Sequence, residues 1–335
     1  MNFRTLNLRE CGNSGDAGRR RTPADSLSLT FILSLSFFRS HSLSLLFSHW
    51  ILHCQVELVL EMCSHWKARI TANDFDTPIR SHACVLCELG EAEKDKVNLF
   101  LHEGNGHLCF SFQRSISGAI GVHTELAHAH CCSLRESSRQ LLSPTPSLLS
   151  LPPSCLLVGV CVILESSDGR ILLTQRSERK SYGLHWVFPG GKWEEGERTA
   201  NTAVREIREE VGIDLEANAA STTLLAVWES SFPYLISDGP PTSHYILLFY
   251  HTRLSFPSHS PALVLTLQHE EVHAAAWLSR TDLSGLLDGS VGSLSIDGLF
   301  SLGVGRERAQ KVEIVRDLVG HGTRYASLRW MEQAA

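Results

Sequence analysis

One 23-residue stretch, Gly191 to Ile213 (GKWEEGERTANTAVREIREEVGI), constrains the fold of this chain more than any other segment. It opens at a glycine-bearing turn, Phe188-Pro189-Gly190-Gly191. It then passes through an acidic loop into a segment with helical spacing, predicted to start near Thr199 or Ala200 and to stop at Gly212. Glu206, Glu209 and Glu210 stand at offsets of zero, three and four, so an α-helix presents them on one face. The Glu206–Glu210 pair sets like charges one turn apart, which costs an isolated helix roughly 0.2–0.5 kcal/mol. A helix selected for its own stability would carry a lysine at one of these positions. A cation held among the carboxylates explains the crowding, and oxygen-only ligands select a hard divalent ion, Mg2+ or Mn2+. An adjoining stripe, Ala203, Ile207 and Val211, repeats every four residues and is expected to pack on a sheet.

The stretch resembles the box of the Nudix hydrolase family at each defining position: Gly191, Glu197, Arg205, Glu206, Ile207, Glu209, Glu210, Gly212 and Ile213. The resemblance implies an α/β/α sandwich with a mixed sheet. It also implies metal-dependent hydrolysis of a pyrophosphate bond in a nucleoside diphosphate linked to another moiety. By the same resemblance, Glu206, Glu209 and Glu210 would be metal ligands together with the Gly190 carbonyl, and an Arg205–Glu197 ion pair would brace the loop against the helix. The general base stays open between a box glutamate and a later loop glutamate, here Glu270 or Glu271, with Glu229 at the end of an earlier strand as a further carboxylate.

Outside the box, Val158-Gly159-Val160, Trp228-Glu229-Ser230, Phe232-Pro233 and Ala276-Trp277-Leu278 resemble family members that act on the 7-methylguanosine cap of mRNA. That likeness implies a capped RNA end as partner and decapping as the reaction. Leu172-Leu173-Thr174-Gln175-Arg176-Ser177 fits the start of a coenzyme A pyrophosphatase signature, and the chain then departs from it. Coenzyme A, another nucleotide derivative, or a non-catalytic binding module are the alternatives. Trp228, Phe232 and Tyr234 are the aromatic candidates for holding a purine base, with core packing as the competing role.

The rest of the chain sets the context. A net charge of −6 over 335 residues gives no global basic surface, so long nucleic-acid tracks are not expected, while a pocket for a short anionic ligand is compatible with it. DNA binding and stable membrane association are not expected. All ten cysteines lie at or before Cys161, which fits a reducing compartment and a cytoplasmic location. Residues 1–60 carry a basic run, Arg19 to Arg21, and a Ser-Leu repeat of the kind a CT dinucleotide repeat encodes. They read as a low-complexity extension, with an organelle leader as the competing reading.

Residues 61–134 read as a small β-rich pre-domain. Its runs VNLFL and LCFSF flank Gly104-Asn105-Gly106, a hairpin signal. Cys84-x-x-Cys87 with His128, His130, Cys131 and Cys132 invites a zinc reading, against which stand the irregular spacing and the simpler role of free thiols. Residues 135–155 read as a Ser/Pro/Leu-rich linker, and 156–335 as the catalytic domain. Within that domain the expected strands are Leu157–Leu164, Ile171–Thr174, Leu224–Trp228, Tyr245–His251 and Val272–Leu278, with Arg306–Val319 as a closing helix.

Overall fold

The computed structural model describes residues 69–72, 83–104, 107–116, 118–140, 156–180, 182–194, 196–239 and 241–333. These belong to a compact unit spanning Gln55–Ala335. The extension read over residues 1–60 and most of the linker, residues 141–155, lie outside the described residues.

In chain order the elements are β1 (Arg69–Ala72), α1 (Val85–Glu88), β2 (Lys96–Gly104), β3 (His107–Ser111), β4 (Ser115–Ile116), β5 (Ala119–Ile120), β6 (Val122–His128) and α2 (Ser133–Gln140). There follow β7 (Leu156–Glu165), β8 (Ile171–Arg176), β9 (Trp186–Val187), β10 (Gly190–Lys192), α3 (Thr199–Val211), α4 (Leu215–Asn218), β11 (Ala219–Phe232) and β12 (Ser243–Leu254). The chain closes with β13 (Val272–Leu278), α5 (Arg280–Asp288), β14 (Ser293–Gly303), β15 (Arg306–Val315) and α6 (His321–Glu332).

One mixed sheet runs in the order β1-β3-β2-β6-β11-β12-β7-β8-β13-β14-β15, with β10 paired to β7 and β9 to β8. Strand β7 shows why the sheet is covered on both faces. Val158, Val160, Val162 and Leu164 join the hydrophobic cluster that holds Ala203, Ile207 and Val211 of α3. The alternate residues Cys161 and Ile163 face a second cluster with Phe249, Ala326 and Trp330. A strand buried on both faces reads as one continuous apolar run, as LVGVCVIL does. The result is the α/β/α sandwich with a mixed sheet that the box implied.

The predicted hairpin is present: β2 and β3 pair antiparallel with Gly104 opposite His107. The β-rich region is not a separate sheet, however. Strand β6 runs parallel to β11, with Val227, Trp228 and Glu229 opposite Leu126, Ala127 and His128. Helix α2 occupies the first part of the segment read as a linker.

The expected closing helix at Arg306–Val319 is overturned. Residues Arg306–Val315 form β15, paired antiparallel with β14 across a turn containing Gly303 and Gly305, both at positive φ. Val312 and Ile314 are buried and alternate with exposed neighbours, a period of two that wins over the helical reading because it buries both on the sheet. The closing helix is α6, whose Ala326 and Trp330 are buried.

Candidate functional site

Helix α3 ends as its sequence dictates, with Gly212 in the left-handed region at φ 75° and its amide donating to the Arg208 carbonyl at 3.2 Å. Its start is held from a distance. Glu103 of β2 accepts from the Thr199 amide at 2.6 Å, which places a carboxylate at the positive end of the helix.

The box carboxylates divide by burial. Glu206 and Glu210 are 7% and 5% exposed, while the Glu209 side chain is 52% exposed at the rim. Glu206 lies directly under Gly191: a Cβ there would sit 2.3 Å from Glu206 Oε2. The Gly190 amide donates to Glu210 Oε2 at 2.9 Å. Gly190 itself is pressed against β7, where an added Cβ would meet the Val160 carbonyl oxygen at 2.1 Å. The two glycines therefore let the turn close onto the carboxylates.

Arg205 binds Glu197 twice, Nε to Oε1 at 3.2 Å and Nη2 to Oε2 at 3.0 Å. Its Nη1 also donates to Glu206 Oε1 at 2.6 Å, and Nη2 to the Lys192 carbonyl at 3.1 Å. These bonds tie the loop to the helix and hold the Glu206 carboxylate in place as well.

Burial pushes the Glu210 carboxyl up to about 8, helped by the negative charges of Glu206 and Glu271 and opposed by the Gly190 amide and by Arg176. Burial also raises Glu206, with Glu209 and Glu271 adding to it against Arg205. Two desolvated carboxylates this close either retain protons or face a cation. All the side-chain donors are oxygens, so the residues fit a hard divalent ion.

The loop before β13 separates the two base candidates. Glu270 is exposed, whereas Glu271 is half-buried, accepts from Lys180 Nζ at 2.5 Å, and adds its charge to both Glu206 and Glu210. Glu229 goes elsewhere. It is buried among Cys84, His128 and His244.

Next to the box turn lies a cavity of about 290 Å3, lined by Arg176, Phe188, Gly190, Trp228, Tyr234, Phe249 and His321 among others. Tyr234 stacks on His321, with ring centroids 4.4 Å apart and 11° between planes. Trp228 is largely buried, tilted against Tyr325 at 5.0 Å, and still reaches the cavity. Phe232 does not line it; the ring is 48% exposed and meets Tyr182 edge-on at 5.4 Å. Sequence reasoning missed Arg176 and His321. Arg176 sits at the end of strand β8 with no local cue to a site, and His321 joins the cavity only once α6 folds back over β11.

Of the cysteines and histidines in the zinc reading, Cys84, His128 and Cys132 converge with Glu229. Cys131 is exposed and donates to the Tyr234 hydroxyl at 3.1 Å, and His130 binds Asp95 at 2.8 Å.

Residues 156–293 match the NUDIX domain family. The chain is 36% identical over 124 residues to the m7GpppN-mRNA hydrolase NUDT17 of Xenopus laevis, covering 36% of this chain and 40% of that protein. It is 34% identical over 122 residues to the Danio rerio protein of the same name, covering 36% and 41%. It is 33% identical over 168 residues to the Homo sapiens one, covering 42% and 51%. The chain thus matches about half or less of the length of these curated relatives. With the box carboxylates gathered under a double-glycine turn inside an α/β/α sandwich, residues 156–293 carry the fold and the box geometry of the NUDIX domain that they match.

Proposed function

We propose that this chain hydrolyses a pyrophosphate bond in a nucleotide-linked substrate, using a divalent cation held by Glu206, Glu209 and Glu210, and that the substrate class is the 7-methylguanosine-capped end of mRNA. The observation that carries this reading is adjacency: Gly190, which binds Glu210, also lines the aromatic cavity. When bound, the cation neutralises phosphate oxygens and lowers the pKa of its water; Mg2+ and Mn2+ are the ions the donors suit.

The chain's own residues would divide the remaining work. Arg176 lines the cavity close enough for its charge to act on Glu210, and its planar fork suits a phosphate. Glu271 would take the proton of the attacking water, steadied by Lys180. The Tyr234–His321 stack and Trp228 offer faces for a base, and a methylated guanine, being cationic, is drawn to such faces more than a neutral purine. At about 290 Å3 the cavity sits at the low end of ligand pockets, which run roughly 300–1,000 Å3, so it suits the base end of a cap and leaves the RNA outside. The net charge of −6 agrees with reading an end and not a track. The relatives named for mRNA hydrolysis support the same substrate.

The test is a panel of capped RNA, coenzyme A and ADP-ribose, read for nucleotide release with Mg2+, with Mn2+ and in chelator. Release of a 7-methylguanosine phosphate only when metal is present is expected. Turnover of coenzyme A with capped RNA left intact would overturn the cap assignment. Absence of turnover across the panel, with metal demonstrably bound, would reduce the domain to a binding module.

A further inference from the structure

We propose that Cys84, His128, Cys132 and Glu229 form a structural zinc-class site, separate from the box, that staples the N-terminal strands to the NUDIX domain. The pairing of β6 with β11 sets His128 beside Glu229 in register, and adjacent strands lie about 4.8 Å apart. Cys84, just before α1, and Cys132, just before α2, supply the two thiols. Cys84 Sγ lies 3.2 Å from Glu229 Oε2 and 3.3 Å from His128 Nδ1, and that nitrogen lies 3.4 Å from the same carboxylate oxygen.

All four donor atoms fall within 4.8 Å of one another. Around a tetrahedral zinc with bonds of about 2.0–2.3 Å, ligand atoms stand roughly 3.3–3.8 Å apart, so side-chain rotation alone closes the set. The four residues are buried at 0%, 3%, 5% and 1% exposure, and four protein donors complete a tetrahedral shell as in structural sites, with Cys132 and Glu229 also bordering the aromatic cavity. Two thiols, an imidazole and one carboxylate oxygen select zinc over the hard ions that suit the box. On binding, each thiol releases its proton to solvent.

The surroundings orient the donors. His128 Nε2 faces Asp95 Oδ1 at 3.8 Å, and Asp95 is itself held by His130 Nδ1 at 2.8 Å and Arg135 Nη1 at 2.9 Å. At 3.8 Å this carboxylate is beyond hydrogen-bond reach of Nε2 and places only its negative charge behind the ring. Glu229 Oε1 accepts from the Val85 amide at 2.6 Å and lies 3.0 Å from His244 Nε2, leaving Oε2 toward the cluster. Three donors come from the region before the NUDIX domain and one from inside it, so metal binding energy becomes docking energy between them.

The full chain, purified without chelator, should carry about one zinc per molecule by elemental analysis. The amount should be unchanged in Glu206→Gln and in Cys131→Ser, and lost in Cys132→Ser. A second measurement, independent of whether Cys132→Ser folds, uses the wild-type chain loaded with Co2+: a thiolate-to-cobalt charge-transfer band is expected, which the oxygen-only box cannot give. Substoichiometric zinc together with no such band, in protein whose thiols titrate as reduced, would overturn the site. Zinc that disappears with the box substitution would likewise overturn it.

Discussion

The amide of Gly190 and the carboxylate of Glu210 are joined by a 2.9 Å hydrogen bond across 20 residues of sequence. This bond ties the turn to the helix and holds the acid beneath the cavity wall. Glu210→Gln keeps an acceptor for that amide and mimics the protonated acid that burial favours, so thermal stability without metal should hold. Metal-dependent turnover should fall by more than the 10–100-fold that outer-shell partners of a metal ligand typically cost. Melting curves and turnover on the same preparation check both halves.

Two glycines should respond differently to alanine. At Gly191 the new methyl would strike the Glu206 carboxyl at 2.3 Å, displacing a candidate metal ligand. Gly191→Ala should lose turnover and cost about 1–3 kcal/mol from overpacking. Gly169, in the β7–β8 turn at φ 75°, has open space around it. Gly169→Ala should cost about 1–2 kcal/mol from left-handed backbone strain and leave KM and kcat in place. Chemical denaturation with steady-state kinetics separates the two.

Glu271 and Glu270 are neighbours with unequal access to the box. Glu271→Gln should lower kcat by about 10²–10⁴-fold, the range for a general base, while Glu270→Gln should stay within a few-fold of wild type. Equal effects from both would remove Glu271 from the mechanism.

Glu165 joins three elements: Oε2 accepts from the Trp330 indole at 2.9 Å and from His251 at 2.7 Å, and Oε1 from Arg253 at 3.1 Å. Burial would raise its pKa, and these partners outweigh it and hold the carboxyl below its ordinary value. A depressed folded pKa contributes stability above the unfolded pKa of about 4.3, and that contribution is lost as pH falls through the folded value. Stability should therefore drop on acidification below about pH 4.3, and Glu165→Gln should flatten that slope. Trp330→Phe should cost about 1.5–3 kcal/mol, as expected for a lost hydrogen bond to a buried charge. Urea melts across pH measure both.

The sequence by itself determined the box helix and its stop, because local spacing and a left-handed glycine are properties of contiguous residues. It likewise determined the β2–β3 hairpin and the doubly buried strand β7, whose patterns are also local. Residues 306–315 misled because a short run of polar residues ending in Val312 and Ile314 fits either period until a partner strand exists. Only the tertiary structure decided that Glu103 caps α3, that Arg176 and His321 line the cavity beside Gly190, and that it is Glu271 whose charge acts on the box carboxylates. The same holds for Glu229, which left the box chemistry to meet Cys84, His128 and Cys132. These are contacts between residues tens to hundreds of positions apart. Their partners are chosen by which strands of the mixed sheet lie side by side, and no window of sequence contains that information.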